Sequence, residues 1–232
     1  MKKNRVRMGI DGLDEMMDGG LIEGSICSII GTYGTGKTTF ALQFAYDGLK
    51  NNETVVYISL EEKKESIYEK IEDRGFELEK YRDLTLFVIK LDPTDFNLSI
   101  NSIRNELPEL IYEIGAKRVI VDPISLFEGL FNDESQRRLE MFRLVEILRD
   151  LKSTVLMTSE HNRNDAYASR YGLIEYLADT VVVLKYIRPD DLAEVHTAVE
   201  VVKMRSSNHS REIKPYEIEE DEINIYFEAS VF

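Results

Sequence analysis

Residues 31–40 read GTYGTGKTTF, and the spacing of Gly31, Gly36, Lys37 and Thr38 fits the pattern G-x-x-x-x-G-K-S/T. In that pattern, backbone N–H groups of a tight turn and of the helix that follows converge on phosphate oxygens. The lysine brings positive charge to the β- and γ-phosphates, and the threonine hydroxyl is a ligand for Mg²⁺. The stretch therefore predicts a nucleotide and Mg²⁺ site formed by Gly31, Thr32, Tyr33, Gly34, Thr35, Gly36, Lys37, Thr38 and Thr39.

Acidic side chains follow two other strand-like runs. RVIVD ends in Asp122, and TVVYIS is followed closely by Glu61 and Glu62. Ligands of open α/β sheets collect at the carboxyl ends of the strands, so Asp122 is a candidate to hold Mg²⁺ through water, and either glutamate could activate a water that attacks the γ-phosphate. Each assignment has an open alternative. Asp122 could simply begin a turn, and Glu61 and Glu62 could lie in the first turn of a helix.

The elements that must position these groups are visible as a repeated pattern. Strands are predicted at 25–30, 54–59, 84–89, 118–122, 154–159 and 180–186, and helices at 38–50, 62–73, 98–114 and 134–151. This alternation predicts an α/β fold with a mainly parallel central sheet flanked by helices. Beyond residue 186 the strand-like runs 197–204, 211–218 and 222–227 have no helix between them, which indicates an antiparallel C-terminal extension.

Composition limits the classes of function. The 232 residues contain 29 basic and 43 acidic side chains, a formal net charge of −14, which disfavours general binding to nucleic acids or anionic membranes. No linker divides the chain, so we expect one domain over residues 1–232. Cys27 lies within a strand-like run and is expected in the core. No apolar run approaches the ~20 residues of a membrane span, and we expect a cytoplasmic protein.

Several sequence motifs, the phosphate loop among them, follow one another along the chain. They are GIDGLDEMMDGGLIEGS, GTYGTGKTT, YISLEE, RVIVDPIS, RLEMFRLVEILRDL, TVLMTSEHN, SRYGLIEYLADTVVVL and KMRSSNHSREIKPYEI. With them the chain resembles the KaiC branch of the RecA-like P-loop ATPases, a group that includes single-domain archaeal proteins and is related to the RadA recombinases and the gas-vesicle regulator GvpD. The resemblance implies a Mg²⁺-dependent ATPase that binds ATP and ADP. It assigns Glu61 and Glu62 as the catalytic glutamates, beside Lys37, and Asp122 as the Walker B acid.

The resemblance also implies a homo-oligomeric ring, usually a hexamer, with ATP held between subunits. Its KMR…H segment, which reaches the nucleotide of the neighbouring subunit, corresponds here to Lys203, Arg205 and His209. A guanidinium delivered in trans can stabilise transition-state charge by ~10³- to 10⁵-fold. The residues alone would favour a different interpretation, in which Lys203 and Arg205 protect a sheet edge and His209 lies in a surface turn.

One position departs from the clock members of the branch. A second domain of those proteins phosphorylates an adjacent Ser-Thr pair, and the matching positions here are Glu175 and Tyr176. We therefore do not expect autokinase activity. The leading hypothesis is a slow, regulatory ATPase with an unknown protein partner.

Two alternatives remain open. A RadA-paralogue recombination accessory would bind single-stranded DNA through the stretch after Pro123 and through residues 160–171. The second stretch offers a basic and aromatic mixture, whereas the first carries the acids Glu128, Asp133 and Glu134. The other alternative is a nucleotide-gated binding module with negligible turnover.

Overall fold

The computed structural model describes residues 3–92, 101–188, 194–226 and 228. Its strands are β1 (Arg5–Val6), β2 (Leu21–Ile22), β3 (Ile26–Gly31), β4 (Val55–Ser59), β5 (Leu86–Lys90), β6 (Arg118–Asp122), β7 (Thr154–Asn162), β8 (Asp165–Ser169), β9 (Thr180–Ile187), β10 (His196–Met204), β11 (Lys214–Ile218) and β12 (Ile223–Ile225). Its α-helices are α1 (Asp11–Met16), α2 (Lys37–Lys50), α3 (Lys64–Asp73), α4 (Leu107–Glu113), α5 (Ile124–Glu128), α6 (Glu134–Asp150) and α7 (Ile174–Leu177). A π-helical turn, Ser102–Glu106, leads into α4, and a 3₁₀ turn spans Leu78–Lys80.

The main sheet has the strand order β12, β11, β10, β9, β3, β7, β6, β4 and β5, and β8 pairs with β7 outside this order. The strands from β9 to β5 in this order pair in parallel. At the other side, β10, β11 and β12 continue the sheet with antiparallel pairing. Strands β1 and β2 form a separate antiparallel ribbon. The predicted α/β class and the antiparallel C-terminal extension are both confirmed.

Helices cover both faces of the sheet because successive strand residues point to opposite faces. Ile29 of β3 packs in one apolar cluster with Phe40 of α2 and Ile67 of α3. Its neighbour Ile30 packs in the other cluster with residues of α5 and α6 such as Ile124 and Met141. Cys27 is fully buried in the first cluster, as expected.

Most predicted elements lie within a few residues of the observed ones. The strand predicted at 84–89 lies at Leu86–Lys90, and the strand predicted at 211–218 begins only at Lys214. Residues 98–100 of one predicted helix and residue 227 of the last predicted strand lie outside the described residues. None of the described helices is long and apolar enough to cross a membrane.

Candidate nucleotide-binding site

The phosphate loop joins the end of β3 to the start of α2. Gly34 and Gly36 adopt φ values of 76° and 82°, a left-handed conformation that glycine adopts without strain. Thr35 is buried beneath the loop, and its hydroxyl donates to the Thr32 carbonyl at 2.8 Å. The Tyr216 hydroxyl donates to the Thr35 carbonyl at 2.5 Å. The loop is therefore held from its inner side, with its outer side open.

A cleft of about 580 Å³ opens over this loop. The predicted loop residues that line it are Thr32, Tyr33, Gly34, Gly36, Lys37, Thr38 and Thr39. Gly31 and Thr35 lie behind them and support the turn. The cleft is also lined by Glu61 and Asp122, so the structure brings together the phosphate loop and both kinds of predicted carboxylate.

Lys37 begins helix α2 at the floor of the cleft. Its ammonium donates to the Thr32 carbonyl at 2.9 Å. Burial lowers the pKa of Lys37, although nearby carboxylates, Asp122 first among them, act in the opposite direction. A partly desolvated cation is stabilised when an anion approaches it. The position suits Lys37 to binding phosphate oxygens.

Asp122 ends β6 with a carboxylate that three hydroxyls fix in place. Thr38 donates to one oxygen at 3.0 Å and Tyr57 donates to the same oxygen at 2.6 Å, while Thr158 donates to the other oxygen. Burial and then the charge of Asp122 raise the pKa of Tyr57 well above its usual value, so its hydroxyl keeps the proton that it donates. The Asp122 carboxylate is buried and oriented at the edge of the cleft.

The same residues fit a hard divalent cation. The Thr38 hydroxyl and the Asp122 carboxylate are oxygen donors only 3.0 Å apart, and Mg²⁺ in nucleotide sites is commonly held by one or two such protein groups together with substrate phosphates. Among the described residues, no cluster of three or more His, Cys, Asp or Glu side chains could hold a metal.

The two neighbouring glutamates have different surroundings. Glu61 is exposed and lines the cleft, and within the described chain no hydrogen bond or ion pair holds its carboxylate. Glu62 is turned toward α3, where Ser66 donates to it at 2.7 Å and Lys70 forms an ion pair with it. Burial raises the pKa of Glu62, but the hydrogen bonds from Lys70 and Ser66 outweigh burial, and the pKa lies below its usual value. Both residues precede α3, which excludes a place in its first turn.

Lys203 and Arg205 lie at the opposite end of the sheet from the cleft. Met204 pairs with Thr180, which pairs with Cys27, four residues before Gly31. At ~3.3 Å per residue, this places them roughly 13 Å from the start of the phosphate loop. The structure therefore does not bring these residues, or His209, into the cleft of their own chain.

Both cations contact the carbonyls that end helix α7. Lys203 donates to the Glu175 carbonyl at 2.8 Å and to the Ala178 carbonyl at 2.7 Å. Arg205 donates to the Tyr176 carbonyl at 2.8 Å and lies 3.6 Å from Asp179, with about half of its side chain exposed. Nδ1 of His209 lies 2.7 Å from the Ser210 carbonyl oxygen. Of the three side chains, that of Arg205 is the most exposed to solvent.

Residues 160–171, the second stretch considered for single-stranded DNA binding, continue β7 and form the hairpin β7–β8. Glu160, His161 and Arg163 line the cleft, a role that the sequence did not indicate because nothing local in it shows that this hairpin returns beside the phosphate loop. Two other side chains of this stretch are engaged within the chain: Arg170 pairs with Glu160 at 2.5 Å, and the Tyr167 hydroxyl donates to Glu200. Ile218 of β11 also lines the cleft and was not predicted.

The stretch after Pro123 carries the acids Glu128, Asp133 and Glu134, and the structure buries the first of them while the other two stay exposed. The stretch forms helix α5, and Glu128 is 0% exposed with neither carboxylate oxygen hydrogen-bonded among the described residues. Asp133 caps α6 by accepting from the Gln136 backbone N–H at 2.8 Å. Burial and then the charge of Glu175 raise the pKa of Glu128 to about 8, against the weaker effects of Arg137 and Arg170.

Glu128→Gln is expected to stabilise the protein at alkaline pH. Between the unfolded pKa of 4.5 and the folded pKa of about 8, the folded state keeps a proton that the unfolded state releases, so the wild type loses stability as pH rises through this window. The gain above pH 8 has an upper limit of about 5 kcal/mol. Urea unfolding at pH 5 and pH 8.5 measures it, with the exposed Glu146→Gln as the control. Equal pH dependence of Glu128→Gln and wild type would contradict the burial of an unpaired carboxyl group.

Comparison with known proteins assigns the chain to a family. The sequence model of the family described as "ATPase: KaiC" matches residues 6–230. The chain belongs to the KaiC family of ATPases. The predicted resemblance is thus confirmed over almost the whole described chain, from β1 to the C-terminal strands.

Individual members of the KaiC family are similar to this chain over most of its length. The chain is 31% identical to the circadian clock oscillator protein KaiC of Parathermosynechococcus lividus over 228 residues, which is 94% of this chain and 41% of the relative. It is 29% identical to the circadian clock protein KaiC3 of a Synechocystis strain, covering 92% of this chain and 44% of the relative. The chain thus spans less than half the length of these curated relatives.

A solved structure is similar over the full fold. The KaiC-like protein from the hyperthermophilic archaeon Pyrococcus horikoshii superposes with a TM-score of 0.84 at 31% identity, covering 97% of this chain and 100% of that chain. The similarity extends from the parallel strands to the antiparallel extension. This confirms the RecA-like P-loop fold that the sequence predicted.

Proposed function

We propose that this KaiC-family chain is a Mg²⁺-dependent ATPase that assembles into a homo-oligomeric ring, a hexamer by resemblance, with ATP held between subunits. Turnover is slow, and the nucleotide state controls assembly or the binding of a partner protein. The single observation that carries the proposal is the convergence of Lys37, the Thr38–Asp122 pair and the unpaired Glu61 in one cleft.

Each group has a distinct task in hydrolysis. Lys37 and the loop N–H groups hold the phosphates, and Thr38 and Asp122 hold Mg²⁺. When bound, Mg²⁺ neutralises part of the phosphate charge. Glu61 accepts a proton from the attacking water, whose oxygen forms a bond to the γ-phosphorus as the bond to the bridging oxygen of ADP breaks.

Glu62 has a supporting task in this proposal. Its carboxylate is paired with Lys70 and accepts a hydrogen bond from Ser66. Its backbone N–H donates to the Ser59 hydroxyl at 3.0 Å and is therefore not free to bind a ligand in the cleft. The resulting contacts join the end of β4 to α3. Glu62 therefore fixes the segment that carries Glu61.

The position of Arg205 supports a site shared between subunits. It lies too far from its own cleft to contact a nucleotide there, and it stays partly exposed. Lys203, which donates to several α7 carbonyls, serves better to hold this end of β10 in place. We assign Arg205 as the group that reaches the γ-phosphate of the neighbouring subunit, with His209 beside it.

The alternatives gain no support from the described residues. Arg170 and the Tyr167 hydroxyl are engaged within the chain, and Asp133 and Glu134 are exposed acids beside the first stretch, which argues against single-stranded DNA binding by these two stretches. The unpaired Glu61 argues against a module without turnover. The cytoplasmic location stays a prediction from the sequence, as does the absence of autokinase activity, which rests on Glu175 and Tyr176.

Lys37→Ala is expected to weaken ATP binding by about 100-fold, because it removes the cation nearest the phosphate loop. Phosphate release from ATP should be measured for wild type and Lys37→Ala, each with Mg²⁺ and with EDTA. We expect release only by wild type with Mg²⁺. Equal release by both proteins, or none by wild type, would refute the ATPase assignment.

A further inference from the structure

We propose that Arg163, at the tip of hairpin β7–β8, binds the terminal phosphate of the nucleotide held by its own chain. This inference rests on the proposed function, because it assigns a further phosphate ligand to the same cleft. It differs from the role of Arg205, which acts on the neighbouring subunit. The two arginines would approach the nucleotide from different chains.

Strand register places the hairpin beside the phosphate loop. Strand β7 runs parallel to β3, and Glu160 pairs with Gly31, the last residue of β3. There β3 turns into the loop, whereas β7 continues to Asn162. Asn162 pairs with Asp165, so Arg163 and Asn164 form a two-residue turn. Arg163 therefore stands beyond the end of β3, at the level of the loop, and it lines the cleft.

Contacts on both strands hold the hairpin. The Arg170 backbone N–H donates to the Glu160 carbonyl at 2.7 Å, and the side chains of these residues form an ion pair. The Tyr167 hydroxyl donates to Glu200 at 3.1 Å, and Lys185 pairs with Glu200 at 2.6 Å. These contacts fix the backbone that carries Arg163.

The guanidinium of Arg163 itself is unpaired. Its side chain is exposed, and no hydrogen bond, ion pair or ring contact holds it within the described chain. The other arginine of this hairpin, Arg170, is paired with Glu160. A fixed backbone with a free guanidinium at its tip is suited to capture an anion in the cleft.

The charges that line the cleft favour such a role. Glu61, Asp122 and Glu160 are carboxylates, and Lys37 and Arg163 are the lysine and arginine side chains among the described lining residues. Burial and then the charge of Lys37 lower the pKa of His161, which disfavours the charged form of its imidazole. Arg163 is thus the second fixed cation available to a polyanion. A guanidinium also matches phosphate oxygens in shape, since it can donate two parallel hydrogen bonds.

A comparison of ATP with ADP should distinguish a contact between Arg163 and the terminal phosphate from a general attraction of Arg163 to anions. The loop N–H groups and Lys37 hold the phosphates that lie on the loop, whereas Arg163 stands on the hairpin, beyond the end of β3. We therefore assign it to the phosphate that ADP lacks. Removal of Arg163 should then penalise a triphosphate more than a diphosphate.

Calorimetric titration with AMP-PNP and ADP in the presence of Mg²⁺ tests the assignment. Arg163→Ala should weaken AMP-PNP binding by roughly tenfold and ADP binding by less than about threefold, the effect of losing a charge-assisted hydrogen bond. The affinity of Arg163→Lys for AMP-PNP should fall between those of wild type and Arg163→Ala, because lysine keeps the charge but not the paired donors. Arg138→Ala, an exposed arginine of α6 outside the cleft, should bind both nucleotides as wild type does.

The outcomes separate this inference from the proposed function. Equal weakening of AMP-PNP and ADP, or wild-type binding of both by Arg163→Ala, overturns the assignment to the terminal phosphate while the ATPase proposal stands. If wild type binds neither nucleotide, the proposed function fails and the inference fails with it. A merely structural role of Arg163 would not distinguish the two nucleotides, and Arg163→Lys would then behave as wild type.

Discussion

Glu61→Gln is expected to slow ATP hydrolysis by ~10²- to 10⁴-fold while ATP binding stays within about twofold of wild type. Glutamine has the size of glutamate and can still contact a water, but it cannot accept the proton that the attacking water must lose. The Glu61 carboxylate lines the cleft and has no partner within the described chain, so its replacement disturbs no other contact. Single-turnover phosphate release, with nucleotide binding measured separately, distinguishes the two steps.

Glu62→Gln is the matched control for this prediction. Its carboxylate pairs with Lys70 and Ser66 and does not line the cleft. The variant should hydrolyse ATP within a few-fold of wild type and lose some stability, because the ion pair with Lys70 is removed. If Glu62→Gln is inactive and Glu61→Gln is active, the roles within the pair are reversed. If neither variant is slow, the proton acceptor lies elsewhere.

Arg205→Ala is expected to slow hydrolysis by ~10³-fold or more, with nucleotide binding largely kept. The guanidinium would stabilise charge that develops on the γ-phosphate in the transition state, so its loss affects kcat more than KM. In the folded chain its side chain contacts the Tyr176 carbonyl and Asp179, and about half of it is exposed. Its removal should therefore leave the fold intact.

Arg211→Ala controls for a general loss of positive charge in this segment. Arg211 is exposed and lies six residues from Arg205, but it matches no position that the resemblance assigns to the nucleotide. The variant should keep wild-type turnover. An equal loss of activity in Arg205→Ala and Arg211→Ala would show that the segment acts through its charge alone.

The phosphate loop, Asp122 and the alternation of strands and helices around them could be predicted because their signals are local. The glycine positions, the lysine and the apolar run before them lie within a dozen residues, and a carboxylate at a strand end needs only the alternation of strands and helices to be placed. Position along the chain favours Glu61 over Glu62 because Glu61 lies nearer the end of β4, but the different surroundings of the two carboxylates could not be predicted. That difference depends on Ser66 and Lys70, which face Glu62 only after α3 has packed beside β4.

Other features depend on contacts between distant segments. Tyr57 and Thr158 orient Asp122 from neighbouring strands, and each reads as an ordinary strand residue in the sequence. Strand β8 is short and mostly exposed, so it lacks the alternation that marks a strand. Its pairing with β7 is what carries Arg163 into the cleft. Glu128 looked exposed because acidic side chains usually are, and its burial follows from the helix that forms after Pro123.

The most direct test of the shared-site account is the activity of a mixture of Arg205→Ala and Glu61→Gln chains. In a mixed oligomer, some interfaces combine an intact Glu61 from one chain with an intact Arg205 from its neighbour. At random 1:1 mixing, about one interface in four is complete. Sedimentation should first show that both variants assemble and exchange subunits. We expect the mixture to recover roughly a quarter of wild-type phosphate release, and a co-assembled mixture as inactive as its two components would contradict an ATP site shared between subunits.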